Sequence, residues 1–188
     1  MTLLRAYIAV IDRLNYGVGR VIMYGIFAMM AVLLWSTISK FSDQPSLWTL
    51  EVAQFAMITY FFLGGPYAIQ MGAHVRMDLF YENWSVRKKA AVDAIMVLCL
   101  IFYLGVLLWG GLSSTAYALG HFGSNPVGFF ADLVTGEKEL GTLERSRSIW
   151  RPYLWPIKTI MCIGILLMLL QALSELCKDI LRLRGETI

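Results

Sequence analysis

Charge is scarce in this sequence. Only 15% of its 188 residues are Asp, Glu, Lys or Arg, where soluble domains carry about 25%. Histidine is scarcer still: His74 and His121 are the two present. They fall at opposite ends of apolar segments, so they cannot ligate one heme deep in a bundle. The cysteines, Cys99, Cys162 and Cys177, are too widely spaced for a disulfide frame or a metal site and read as small hydrophobes. No basic run with interleaved aromatics is present, which argues against nucleic acid as a partner. Phosphate-binding loop, nucleophile elbow and zinc signatures are missing too. The sequence thus points to neither catalysis nor a resident cofactor.

Apolar residues are what it has instead. They make up 58% of the chain, with a mean hydropathy of +0.63, and they lie in long blocks between charged loops. A bilayer core about 30 Å thick needs about 20 apolar residues to cross as a helix. Four blocks qualify, at about 21–39, 52–73, 94–119 and 153–174. The first is too long for a signal-peptide core and no small-residue cleavage site follows it, so a retained N-terminus is expected. Lys158, near the start of the fourth span, can reach the interface along its own stem. The expected fold is an all-α integral membrane protein of one membrane domain, 1–188, with four transmembrane helices.

Lys and Arg set the expected orientation. Ten lie on one side: Arg5, Arg13, Arg20, Arg76, Arg87, Lys88, Lys89, Lys178, Arg182 and Arg184. Six lie on the other: Lys40, Lys138, Arg145, Arg147, Arg151 and Lys158. This places residues 1–20 and the tail 175–188 in the cytoplasm and the long loop 120–152 in the periplasm. Trp35, Trp48, Trp150, Tyr153 and Trp155 stand where an aromatic belt belongs.

In the N-terminal segment, Leu4, Tyr7, Ile8, Ile11 and Leu14 share one helical face, with Arg5, Asp12 and Arg13 opposite. Either an interfacial helix or a cytoplasmic extension of the first span fits. In the long loop, Gly123, Asn125, Pro126 and Gly128 mark a turn. Phe129, Phe130, Leu133 and Val134 then suggest a short amphipathic piece, and Glu137 to Arg147 reads as solvated. Small residues recur within the spans: Ala56, Gly64, Gly65 and Ala68 in the second, Gly110, Gly111, Ser114 and Thr115 in the third. Such rows let helix backbones approach, within the chain or across a subunit interface. Gly64-Gly65-Pro66 should bend the second span, and Gln54, Thr59 and Gln70 need polar partners. Glu51 lies at the outer end of that span, where a helix N-terminus favours surface hydrogen bonds to a carboxylate.

The second span and the loop after it carry a family signal. Glu51 to Phe55, then Phe62-Leu63-Gly64, then Gly72-Ala73-His74-Val75-Arg76-Met77-Asp78 resemble the small membrane subunit of tripartite ATP-independent periplasmic (TRAP) transporters, the DctQ-like family. That family shows E-x-x-x-F, F-L-G and G-x-H-[VI]-R-x-D in this order. Trp150-Arg151-Pro152-Tyr153-Leu154-Trp155-Pro156-Ile157-Lys158 and Leu169-Leu170-Gln171 resemble a branch with a longer loop between spans three and four.

The resemblance implies a heterodimer with a large membrane subunit that holds substrate and sodium sites and moves as an elevator. It also implies a periplasmic binding protein that delivers an organic acid, and a scaffolding role for the small subunit. On that reading His74, Arg76 and Asp78 secure the inner loop by an ion pair or a phospholipid head group. The small-residue rows face the large subunit or neighbouring helices. Trp48, Glu51, Trp150 and Arg151 are docking candidates on the outer side. Two other classes stay open on residues alone: a membrane anchor subunit of a redox complex and a stand-alone small transporter.

Overall fold

The structure, a computed structural model, describes residues 2–72, 86–136 and 139–183, and every regular element among them is a helix. In chain order these are α1 (Thr2–Ile22), α2 (Gly25–Phe41), α3 (Thr49–Gln70), α4 (Val86–Ala118), α5 (Pro126–Thr135) and α6 (Trp155–Leu183). Four stretches are long and apolar enough to cross a membrane: Leu4–Phe41, in which α1 and α2 join end to end, Thr49–Gln70, Ile95–Ala118 and Trp155–Leu181. The protein is an all-α integral membrane protein with four candidate membrane-spanning helices.

The spans do not close into a bundle. They stand in a row, in the order α2, α3, α6, α4. Among the described residues α2 packs against α3, α3 against α6 and α6 against α4, without substantial contact between helices further apart. A single layer buries little: α2 has no buried residue. The apolar core lies where α4 meets α6, around Leu104, Ile165 and Ala172. Lipid tails are as apolar as leucine, so close packing and hydrogen bonds must hold such a layer together.

Glycine supplies the close packing. Phe62 faces Gly164 and Gly65 faces Met168, so α3 and α6 run in the same direction. A Cβ built on Gly164 would lie 2.6 Å from the Phe62 carbonyl oxygen. That carbonyl is special for a reason written in the sequence. Its normal helix donor would be the N–H of residue 66, and Pro66 has none. The helix surface at Phe62 is therefore open to α6, and only glycine can come so near. Gly111 does the same for α4 and α6, lying against Cys162.

Two connections turn at one end of the layer, here called the loop end. The helix α1 and the last turn of α6 lie at the other, the terminal end. At the loop end α2 stops where Asp43 takes a left-handed φ of 55° and Pro45 follows. Thr49, 1% exposed, ties the hairpin: its hydroxyl donates to Ser36 Oγ at 3.1 Å and meets Ser46 Oγ at 3.0 Å. Ser39 Oγ lies 3.0 Å from Ser46 Oγ.

At the terminal end α1 does not run along the spans. Tyr7 donates to the Leu170 carbonyl at 3.0 Å and Asn15 to Gln171 Oε1 at 2.7 Å. Those two residues are about 12 Å apart along α1, yet they meet adjacent positions of α6. So α1 lies across α6. Its buried face is Ile8, Ile11, Asn15 and Gly19, which shares Ile8 and Ile11 with the expected one and departs from it elsewhere. Leu4 and Leu14 are exposed, and Asp12, expected to face water, turns to α6. The interior at this end is polar, and an apolar tally along the helix could not show that.

The long loop is more ordered than its composition suggests. The α5 helix starts where the turn residues predict. Asn125 caps it, accepting the Gly128 N–H at 3.1 Å; Pro126 opens it, and Gly136 at φ 78° ends it. Phe129 packs on Ala116 of α4 and on Leu119 just after it, with Phe130, Leu133 and Leu143 around it. His121 stacks on Phe129 at 4.6 Å between ring centroids. Of Glu137 to Arg147, expected to be solvated, the described residues 139–147 stay mostly exposed but fold back: the Gly141 and Glu144 N–H groups donate to Leu119 and Ala118.

Candidate interaction surfaces and polar clamps

The polar side chains gather at the two ends, each cluster drawn from several elements. At the terminal end the hub is Asp12. Its Oδ1 accepts from Gln171 Nε2 at 2.9 Å and Ser174 Oγ at 3.2 Å. Its Oδ2 pairs with Lys178 Nζ at 2.7 Å. Lys178 also pairs with Glu175 at 2.8 Å, and Gln70 of α3 donates to the Asp12 carbonyl at 3.1 Å. Gln171 and Ser174 are fully buried, so α1, α3 and α6 share one hydrogen-bonded junction. Of its members the sequence marks only Gln70 as a polar group within a span that needs a partner. Asn15, Gln171, Ser174 and Lys178 sit at positions that hydropathy leaves unremarkable. The available signal was the spacing of Gln171, Ser174 and Lys178, which puts three polar groups on one face of α6.

At the loop end Glu51 is 7% exposed. It takes no helix N–H, contrary to the surface role expected. Its Oε1 accepts from Ser146 Oγ at 2.9 Å, while Oε2 is buried without a hydrogen-bond partner. The bond reaches from α3 into the long loop because residues 144–146 and 152–154 lie antiparallel. The Ser146 N–H donates to Pro152, the Leu154 N–H to Glu144, and Arg145 covers the Tyr153 ring. A second clamp is ionic. Lys158 pairs with Glu144 at 2.6 Å and donates to the Ser114 carbonyl at 3.2 Å. Lys158 is thus internally paired rather than directed to lipid head groups.

Ser146→Ala removes the first clamp and leaves the carboxylate of Glu51 without a donor. The loop should then be cut faster by trypsin at Arg145 and Arg147, severalfold, with little change in the melting of the spans. Equal cleavage of variant and parent counts against the clamp.

The docking candidates separate. Trp48 is exposed beside the start of α3, and Trp150 and Arg151 are exposed at the tip of the antiparallel piece. Glu51 is buried beneath the loop that carries that tip. The small residues separate as well. Gly64 meets Ile22 at 3.6 Å and Gly65 meets Met168, so both pack within the chain. Ala56, Ala68 and Ser114 are half-buried. Gly110 alone of these opens outward, with nothing within 4 Å of a Cβ built on it. It lines an apolar groove of about 290 Å³ with Tyr103, Val106, Leu107, Gly111 and Met161. His74, Arg76 and Asp78 lie outside the described residues.

A family model for the DctQ component of tripartite ATP-independent periplasmic transporters matches residues 29–182. The chain belongs to the DctQ family. No curated protein matches it. The match runs from α2 to the end of α6 and so spans the whole row of helices. It leaves out α1, which contributes Asp12 and Asn15 to the DctQ component's buried junction. The family is one of transporter components, and this chain is a membrane member of it.

Proposed function

We propose that this DctQ component is a non-catalytic scaffold for the large membrane subunit. The large subunit moves as an elevator against it, in sodium-coupled uptake of an organic acid handed over by a periplasmic binding protein. The observation that supports this reading most is the single-layer arrangement. A closed bundle would bury its own apolar faces. Here, among the described residues, the broad faces of the row lack an internal partner except where α1 crosses α3 and α6 and α5 caps the end of α4, and most polar groups near the ends are engaged within the chain. Such a layer is suited to widening a neighbour rather than enclosing a path.

In this reading the loop end is periplasmic and the termini are cytoplasmic in the inner membrane, as the Lys and Arg distribution favours. Trp48, Trp150 and Arg151 then face the binding protein. Gly110 and its groove face the large subunit. His74, Arg76 and Asp78 hold the inner connection through an ion pair or a phospholipid head group.

Gly110→Leu fills the groove from a position where an added Cβ meets no atom within 4 Å. It should lower copurification of the large subunit severalfold while the isolated chain melts as before. Arg76→Ala should lower complex yield and uptake together. Normal assembly and uptake in both variants would remove the basis for the scaffold assignment.

A further inference from the structure

The α5 helix has an outward side that does not suit water. Helical geometry at about 100° per residue divides it into three sectors. Pro126, Phe129, Phe130 and Leu133 face α4. Gly128, Asp132 and Thr135 share a polar edge. Val127, Ala131 and Val134, spaced four and three apart, form the third sector, and all three are exposed. Val134 is 88% exposed and Val127 51%. A helix in water would place polar side chains there. Phe122, four residues before the helix, is 74% exposed.

Height along the layer says what covers this sector. The α5 helix rests on Ala116 and Leu119, at the end of α4. One turn earlier Lys158 reaches the Ser114 carbonyl and lies 5.8 Å from the Tyr117 ring centroid, a depth at which a span passes from apolar to polar. Phe122 packs edge-on against Tyr117 at 5.2 Å. Tyr117 ends the exposed stripe of α4 that runs through Phe102, Trp109 and Ser113. The exposed side of Phe122 thus continues the exposed, largely apolar surface of a candidate span.

We propose that α5 and Phe122 lie in the bilayer interface at the loop end, with Val127, Ala131 and Val134 against the acyl chains and the Asp132 edge toward water. The partner is the phospholipid surface itself, engaged through apolar contact and without a demand for head-group charge. The helix then braces α4 at the membrane boundary. This inference rests on the chain spanning a membrane and not on the scaffold reading, so either can fail alone.

The test uses the full chain in phosphatidylcholine liposomes, with Cys99, Cys162 and Cys177 changed to Ala. Val127→Cys, Val134→Cys and, as a water-facing control, Glu139→Cys each carry an environment-sensitive fluorophore. Labels at Val127 and Val134 should lose most of their emission to lipids with a nitroxide near the glycerol end, and little to aqueous iodide. Glu139 should do the reverse. Iodide quenching at all three positions overturns the proposal. So does shielding from both quenchers that appears only when the large subunit or the binding protein is added, which would make the sector a protein contact. Should labelled chains not reconstitute, photoactivated lipid on the unaltered chain gives the same answer. Adducts on Phe122 to Thr135 support the proposal, and adducts confined to α2 and α4 refute it.

Discussion

Gly164→Val is expected to separate α3 from α6 and to abolish most of the folded chain. The added Cβ would lie 2.6 Å from the Phe62 carbonyl oxygen and 2.7 Å from Phe62 Cβ. Backbone atoms cannot rotate away, so the helices must move apart. Overpacking of this kind costs about 1–3 kcal/mol where side chains can yield, and here they cannot. Gly164→Ala should already lower the melting temperature in detergent, and valine should lower it further. Pro66→Ala is the informative partner. It returns a donor to the Phe62 carbonyl without adding bulk and should be far milder. Gly65→Ala should also be mild, because the opposing atoms belong to the flexible Met168 side chain. A Gly164→Val chain that melts like its parent would mean that α3 and α6 do not approach as described.

Much of this architecture was legible before the structure. Span count follows from length and apolarity, which the bilayer imposes on any sequence. The start of α5 was readable from Asn125, Pro126 and Gly128 because caps are local chemistry. What failed to show was long-range. Glu51 and Ser146 are 95 positions apart, and Asn15 and Gln171 are 156 apart. No periodicity links such pairs. Gly64 and Gly110 looked alike as small residues in spans, yet one faces Ile22 and the other faces outward. Which face a small residue serves depends on the helix order in the row, and composition does not encode that order. The motif of His74, Arg76 and Asp78 gave the family and falls on residues that the structure does not describe.

Asp12→Ala should release α1 from the layer. The substitution leaves Ser174 Oγ without its Asp12 acceptor, takes one of two acceptors from Gln171 Nε2, and removes one of the two carboxylates paired with Lys178. The Asp12 side chain is 23% exposed and Lys178 13%, so water screens the pair only in part. A group of this kind losing its partners costs about 2–3 kcal/mol. Asp12→Asn keeps an oxygen for Ser174 and Gln171 while removing the charge, and should cost roughly half as much. Arg13→Ala, on the exposed side of the same helix, is the control and should change nothing measurable. Trypsin reads the outcome directly. If α1 lets go, cleavage at Arg20 should accelerate in Asp12→Ala well before the spans melt, and in Asp12→Asn to a lesser degree. A double change of Asp12→Ala with Lys178→Met should recover part of the loss, because it removes the charge left with one partner. If α1 stays protected in Asp12→Ala, then Tyr7, Ile8 and Ile11 hold it without the polar junction. The buried amides would then set where the helix lies and not whether it stays.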